Sequence, residues 1–87
     1  MTERPDMRIE VLAFAQARDA LGAGRLRLEM PAGSRVVDAL ALLTARHPTL
    51  TPLAPHLAVA VDRQLARGEH ALTDGCELAL LPPVSGG

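Results

Sequence analysis

Leu78-Ala79-Leu80-Leu81-Pro82-Pro83-Val84-Ser85-Gly86-Gly87 closes the 87-residue sequence, and its reading decides what the rest of the chain must provide. Leu78 to Leu81 is an apolar run of strand length. Two consecutive prolines then fix φ and remove two backbone donors, so a strand passing through Leu81 must leave its sheet and continue extended. At roughly 3.1 Å per residue for a polyproline-like path, residues 82–87 reach on the order of 18 Å beyond a folded body. That length suits insertion into another protein's pocket, and the remainder of the chain is expected to be the sheet that anchors it.

The chemical asset at the tip is the α-carboxylate of Gly87. Gly86 and Gly87 lack a Cβ, so they can thread a narrow channel and leave little crowding around the last carbonyl. A carboxylate is a poor electrophile at neutral pH, but coupling to AMP supplies a leaving group that a sulfur or nitrogen nucleophile can displace. The plain alternative is a frayed terminus of small residues. A stiff Pro-Pro stem directly after a hydrophobic strand argues for the functional reading.

Working outward from that strand, Arg25-Leu26-Arg27-Leu28-Glu29-Met30 alternates strictly between polar and apolar residues and reads as a strand with Leu26, Leu28 and Met30 facing a core. Met7 to Ala13 shows the same period, with Ile9, Val11 and Ala13 on the apolar face. Phe14 to Leu21 places Phe14, Ala17 and Leu21 at helical spacing, with Gly22 as a stop. The spacing also predicts a main helix over 35–47. Ser34 is its candidate cap, Val36, Val37, Leu40 and Leu43 form its apolar stripe, and His47-Pro48 ends it.

Residues 49–56 hold Pro52 and Pro55 and read as a loop. A third strand follows, in which Leu57, Val59 and Val61 alternate with small residues. Residues 64–72 contain a short fourth strand and a turn at Arg67-Gly68, and Thr73-Asp74-Gly75 turns the chain into the final strand. This gives an α+β layout, a four- to five-stranded mixed sheet with one main helix across one face. Residues 1–6 are expected to be a loose leader, 7–81 the domain and 82–87 the functional tail. One long helix cannot cover both sheet faces, so Ala58, Ala60, Ala79 and Leu81 are expected to form a modest docking surface.

Composition narrows the function classes. One domain of this length buries about 60–65% of its unfolded surface, leaving little room for an enclosed active site. Nine arginines against ten acids, a single aromatic residue (Phe14) and no basic run argue against nucleic-acid binding. Apolar runs are too short to cross a bilayer and no signal peptide opens the chain, so a cytoplasmic protein is expected, with no membrane partner.

A lone cysteine, Cys76, excludes an internal disulfide and reads as packing. The three histidines lack metal-ligand spacing, no phosphate-binding glycine loop is present, and no catalytic triad is visible. The chemistry is therefore expected at Gly87, performed by partners, with no metal or cofactor held by the chain itself. The chain contains no lysine, so an activated Gly87 meets no lysine amine of its own, which leaves the N-terminus as a self-acylation site.

This order of elements, together with the ending Pro82-Pro83-Val84-Ser85-Gly86-Gly87 and with Asp74-Gly75 ahead of the last strand, resembles the MoaD-like small subunits of molybdopterin synthase, sulfur carriers of the ubiquitin-like β-grasp fold. The resemblance covers about Met7 to Gly87. It implies that an E1-like enzyme adenylates Gly87 with ATP, the ATP being consumed by that partner. A sulfur donor then converts the adenylate to a thiocarboxylate. The tail next enters a large, MoaE-like subunit, where sulfur passes to cyclic pyranopterin monophosphate.

In that picture Gly87 is the acyl-adenylate and thiocarboxylate site, Gly86 allows passage, and Leu81, Pro82, Pro83, Val84 and Ser85 anchor and aim the tail. Many relatives carry aromatic residues just before the prolines, where this chain has Leu80 and Leu81, which keep the apolar anchor without ring stacking. A carrier for thiamine, cysteine or tRNA thiolation, a protein modifier, and a non-catalytic interaction module are the alternatives.

Overall fold

The computed structural model describes residues 7–82, so the expected leader at 1–6 and the tail residues 83–87 lie outside the described residues. Alternation builds the first two strands. In β1 (Met7–Ala13), Met7, Ile9, Val11 and Ala13 are buried on one face. β2 (Arg25–Met30) runs antiparallel to it in a register that sets Met7 opposite Met30, Ile9 opposite Leu28 and Val11 opposite Leu26. Each core-facing residue thus meets an apolar partner, and a one-residue slip would turn every pair toward solvent.

Between these strands lies α1 (Ala15–Leu21), which buries Ala17 and Leu21. Gly22 stops it in the left-handed region at φ 75°, where its N–H donates to the Arg18 carbonyl. Phe14 is not a helix core residue as the spacing predicts. Its backbone stays extended, at φ −127° and ψ 153°, and its ring is 46% exposed.

α2 (Val36–Arg46) buries Val36, Ala39 and Leu43, with Leu40 packed at the edge of the core. Val37 is 53% exposed, so the stripe runs through Ala39 instead. The i, i+3, i+7 rows of a helix share one face, and a residue beside its first member points elsewhere. Ser34 does not cap this helix either, since its hydroxyl donates to the Pro31 carbonyl within the preceding turn. Arg35 holds the cap position, with its N–H donating to the Asp38 carboxylate, while the N–H groups of Val36 and Val37 donate to the carbonyls of His70 and Gly68. The segment after the fourth strand therefore satisfies the helix's free donors.

The expected loop at 49–56 contains two single 3-10 turns, Pro48–Leu50 and Ala54–His56. Leu50 is fully buried, a core residue the loop reading missed, and the Thr49 hydroxyl ties this segment to α1 by donating to the Ala20 carbonyl. β3 (Ala58–Val61) and β4 (Gln64–Ala66) then form a hairpin around Asp62-Arg63. Both turn residues have positive φ, at 49° and 71°, which matches the twist of the flanking strands.

β5 (Glu77–Leu81) completes a five-stranded sheet in the order β2-β1-β5-β3-β4. It lies parallel to β1 and antiparallel to β3, so the last strand in sequence is the middle strand in space. Leu78 and Leu80 are fully buried in the core shared by sheet and helices. Fully burying such side chains contributes about 1.5–3 kcal/mol each. Among the described residues no helix is long and apolar enough to cross a membrane.

Candidate functional site: the end of β5 and the uncovered sheet face

Strand β5 is held hard at its beginning. On one side, the Arg8 N–H donates to the Asp74 carboxylate at 2.8 Å, and the Gly75 N–H returns a bond to the Arg8 carbonyl at 2.7 Å. Gly75 makes this return possible at φ 82°, a region L side chains rarely adopt. On the other side, the Glu77 N–H donates to the Asp62 carboxylate at 2.9 Å, while the Asp62 N–H donates to the Glu77 carbonyl. Two aspartates thus fasten the entry of the strand to both neighbours. Bonds to a charged acceptor are among the stronger ones available to a backbone donor.

The far end is arranged differently. Leu81 pairs with Ala58 and is half-buried, and Pro82, the last described residue, is exposed. The Leu80 carbonyl accepts from the Phe14 N–H at 3.3 Å, so the start of α1 adjoins the place where the chain leaves the sheet. Of the expected site residues, Leu81 and Pro82 are therefore located. Pro83, Val84, Ser85, Gly86 and Gly87 lie outside the described residues.

The sheet face away from the helices divides into two halves. Toward β2 it is charged: Arg8 and Glu29 pair at 2.9 Å, and Arg27 approaches Glu10 at 4.0 Å. Exposed pairs of this kind contribute about 0–1 kcal/mol, so they define a solvated surface more than a stability element. Toward β3 and β4 it is apolar. Register places Leu12 beside Ala79, Ala79 beside Ala60 and Ala60 beside Leu65, with Leu81 and Ala58 forming the next row.

Ala58, Ala79 and Leu81 are half-buried as the alternation predicts, but Ala60 is buried at 6% because its cross-strand neighbours close over it. The patch is extended by residues the sequence reading did not assign to it. Leu65 is 77% exposed, Leu12 is half-buried, and Phe14 continues the alternation of β1 onto this face. The signal was available: Leu12 holds an outward position among charged residues of β1, and Leu65 alternates with Gln64 and Ala66. Large apolar side chains left outside a small domain mark a surface that another protein can cover.

Cys76 is buried at 3%, in the core. His47 caps the end of α2, His56 closes the second 3-10 turn and His70 precedes the bridge between Arg35 and Ala71. Among the described residues no group of three His, Cys, Asp or Glu side chains could hold a metal ion.

Comparison with known proteins gives the same organisation a context. A family model described as the ThiS family matches residues 11–87. The molybdopterin synthase sulfur carrier subunit of Chlamydomonas reinhardtii is 36% identical over 83 residues, covering 93% of this chain and 100% of that protein. The protein of the same name from Escherichia coli strain K12 is 39% identical over 82 residues, covering 91% and 99%. Among solved structures, SAMP1 of Haloferax volcanii, a small archaeal modifier protein, superposes with a TM-score of 0.81 at 32% identity, covering 92% of this chain and 99% of that one. The mixed sheet crossed by one main helix is the ubiquitin-like β-grasp of these neighbours.

Proposed function

The chain belongs to the ThiS family, and on that premise we propose that it is a sulfur carrier for molybdopterin biosynthesis, with Gly87 as the C-terminal residue that bears the sulfur. An E1-like partner attaches AMP from ATP to the Gly87 carboxylate and releases pyrophosphate. A sulfide-level nucleophile from a sulfur donor then attacks the acyl carbon: a C–S bond forms, the C–O bond to AMP breaks, and a thiocarboxylate remains. The tail delivers it to a pocket in a large, MoaE-like synthase subunit, which supplies the catalytic groups and holds cyclic pyranopterin monophosphate. The chain itself holds no cofactor in this scheme.

The observation that supports this reading best is the asymmetry of β5. Its entry is fastened by Asp62 and Asp74, and its exit passes through Leu81 to exposed Pro82 beside an uncovered apolar face. A mount of this kind fixes where the tail begins, and the apolar face gives the activating enzyme and the large subunit something to grip. The two named relatives are subunits of a synthase, which supports a second, larger subunit as partner.

The test is the length of the tail. Deleting Gly87, or adding one residue after it, is expected to abolish sulfur transfer to the pterin substrate while the unfolding midpoint stays unchanged. Normal molybdopterin production by either variant would contradict the proposal. The likeness to a small archaeal modifier protein favours a second reading, in which the activated carboxyl is joined to amines of other proteins. ATP-dependent amide-linked conjugates in cells, persisting when the pterin pathway is removed, would favour it.

A further inference from the structure

We propose that the folded body, residues 7–82, offers no lasting acceptor to an activated Gly87, so that no branch between copies can form on it and the carboxyl is kept for groups supplied by other proteins or for the N-terminal amine. Its bearing on function rests on the reading that Gly87 is activated; the closure itself is a property of the body.

Three observations carry it. First, the sequence has nine arginines and no lysine. Every arginine among the described residues is exposed, so these positions occupy the surface where lysine amines would otherwise stand. A guanidinium stays protonated at any working pH and offers no nucleophilic lone pair, whereas a lysine amine becomes a nucleophile once it loses its proton. Second, Cys76, the one thiol, is 3% exposed within the core, where an acyl group on another chain cannot reach it. Third, the hydroxyls of Ser34, Thr44 and Thr49 each donate to a backbone carbonyl, and those of exposed Thr51 and Thr73 are neutral alcohols, far weaker nucleophiles toward an acyl group than an amine. Exposed His56 and His70 can attack an acyl group, but an acyl-imidazole hydrolyses and returns the carboxylate.

The step that is prevented can be written out. An amine nitrogen attacks the acyl carbon of an activated Gly87, a C–N bond forms, the bond to the leaving group breaks with its electron pair, and the nitrogen loses a proton to solvent. The product is an amide between two copies of the chain. Without an accessible amine in the body the activated form survives until a partner's nucleophile arrives or water hydrolyses it.

A test that does not depend on the activating enzyme uses the full chain prepared as a Gly87 thioester by intein cleavage. At high protein concentration and alkaline pH, the wild-type thioester is expected to decay with no amide formed on residues 7–82. A variant carrying Arg46→Lys and Arg67→Lys is expected to give an additional species with the mass of two chains less one water, with the linkage mapped to either new lysine. A wild-type dimer amide-linked through any residue of the body would overturn the proposal. Failure of the lysine variant to form any dimer would overturn it as well, since the missing lysines would then not be what keeps the body closed. A parallel arm with the adenylating partner and ATP separates the two readings: no adenylate on Gly87 there would sink the carrier function while leaving the measured closure standing.

Discussion

On the helix side of the sheet, Ile9, Val11, Leu28, Leu78 and Leu80 are at most 1% exposed, whereas on the opposite side Leu12, Ala79 and Leu81 are half-buried and Leu65 is 77% exposed. Both sets come from the same strands, often from adjacent residues. The chain supplies enough helix to cover one face, and it spends its larger aliphatic residues there. The other face is left partly apolar where β5 ends and charged where β2 lies. The difference separates, on opposite sides of one strand, a face that holds the fold together from a face that is left for solvent or for another molecule to cover.

Leu80 and Leu81 put that comparison under the greatest strain. Leu80→Ala removes a fully buried side chain from the middle strand and is expected to cost about 2–5 kcal/mol. Leu81→Ala, one position on, is expected to cost well under half of that in the same chemical denaturation series. Equal losses would show that the two faces are not distinguished as described.

A smaller effect is expected at the strand's entry. Asp74→Ala removes the carboxylate that accepts the Arg8 N–H, and a loss of about 1–2 kcal/mol follows from a charged acceptor's bond at a partly solvated site. Hydrogen exchange at Arg8 and Gly75 should accelerate more than exchange within α2. Uniform acceleration would mean that the clamp is no local device. The smallest change in stability is expected at Leu65→Ser, within about 0.5 kcal/mol, because the side chain is already in water. Its effect should appear instead as weaker binding to the activating enzyme or the large subunit, measured by calorimetry. Unchanged affinity for both would remove the apolar face from the account.

Much of the fold could be read from residue spacing. β2 has the boundaries its alternation gives, because every second residue changes character and no turn residue intrudes. Gly22 and His47-Pro48 end their helices for reasons local to the backbone. Leu50 was hidden because it sits in a proline-rich segment with no period, and its burial depends on where that segment folds back. The choice of Arg35 over Ser34 at the start of α2 depends on carbonyls from His70 and Gly68, more than thirty residues further along the chain. The turn at Asp62-Arg63 has no glycine to announce it, and the Asp62 carboxylate is occupied by a strand that arrives later. At the candidate site, the alternation located Ala58, Ala79 and Leu81. Leu12 and Leu65 join them only once the strand order is known, because separate strands bring them into one row.

The central claim concerns a single atom at Gly87, and the mass of the C-terminal peptide tests it most directly. Protein isolated from sulfur-replete cells that contain the activating enzyme and the sulfur donor but lack the large subunit, so that the loaded form accumulates, should yield a terminal peptide ending at Gly87 in which one oxygen has been exchanged for sulfur. A terminal peptide that carries only oxygen under sulfur-replete conditions, with the activating enzyme and sulfur donor present, would contradict the account.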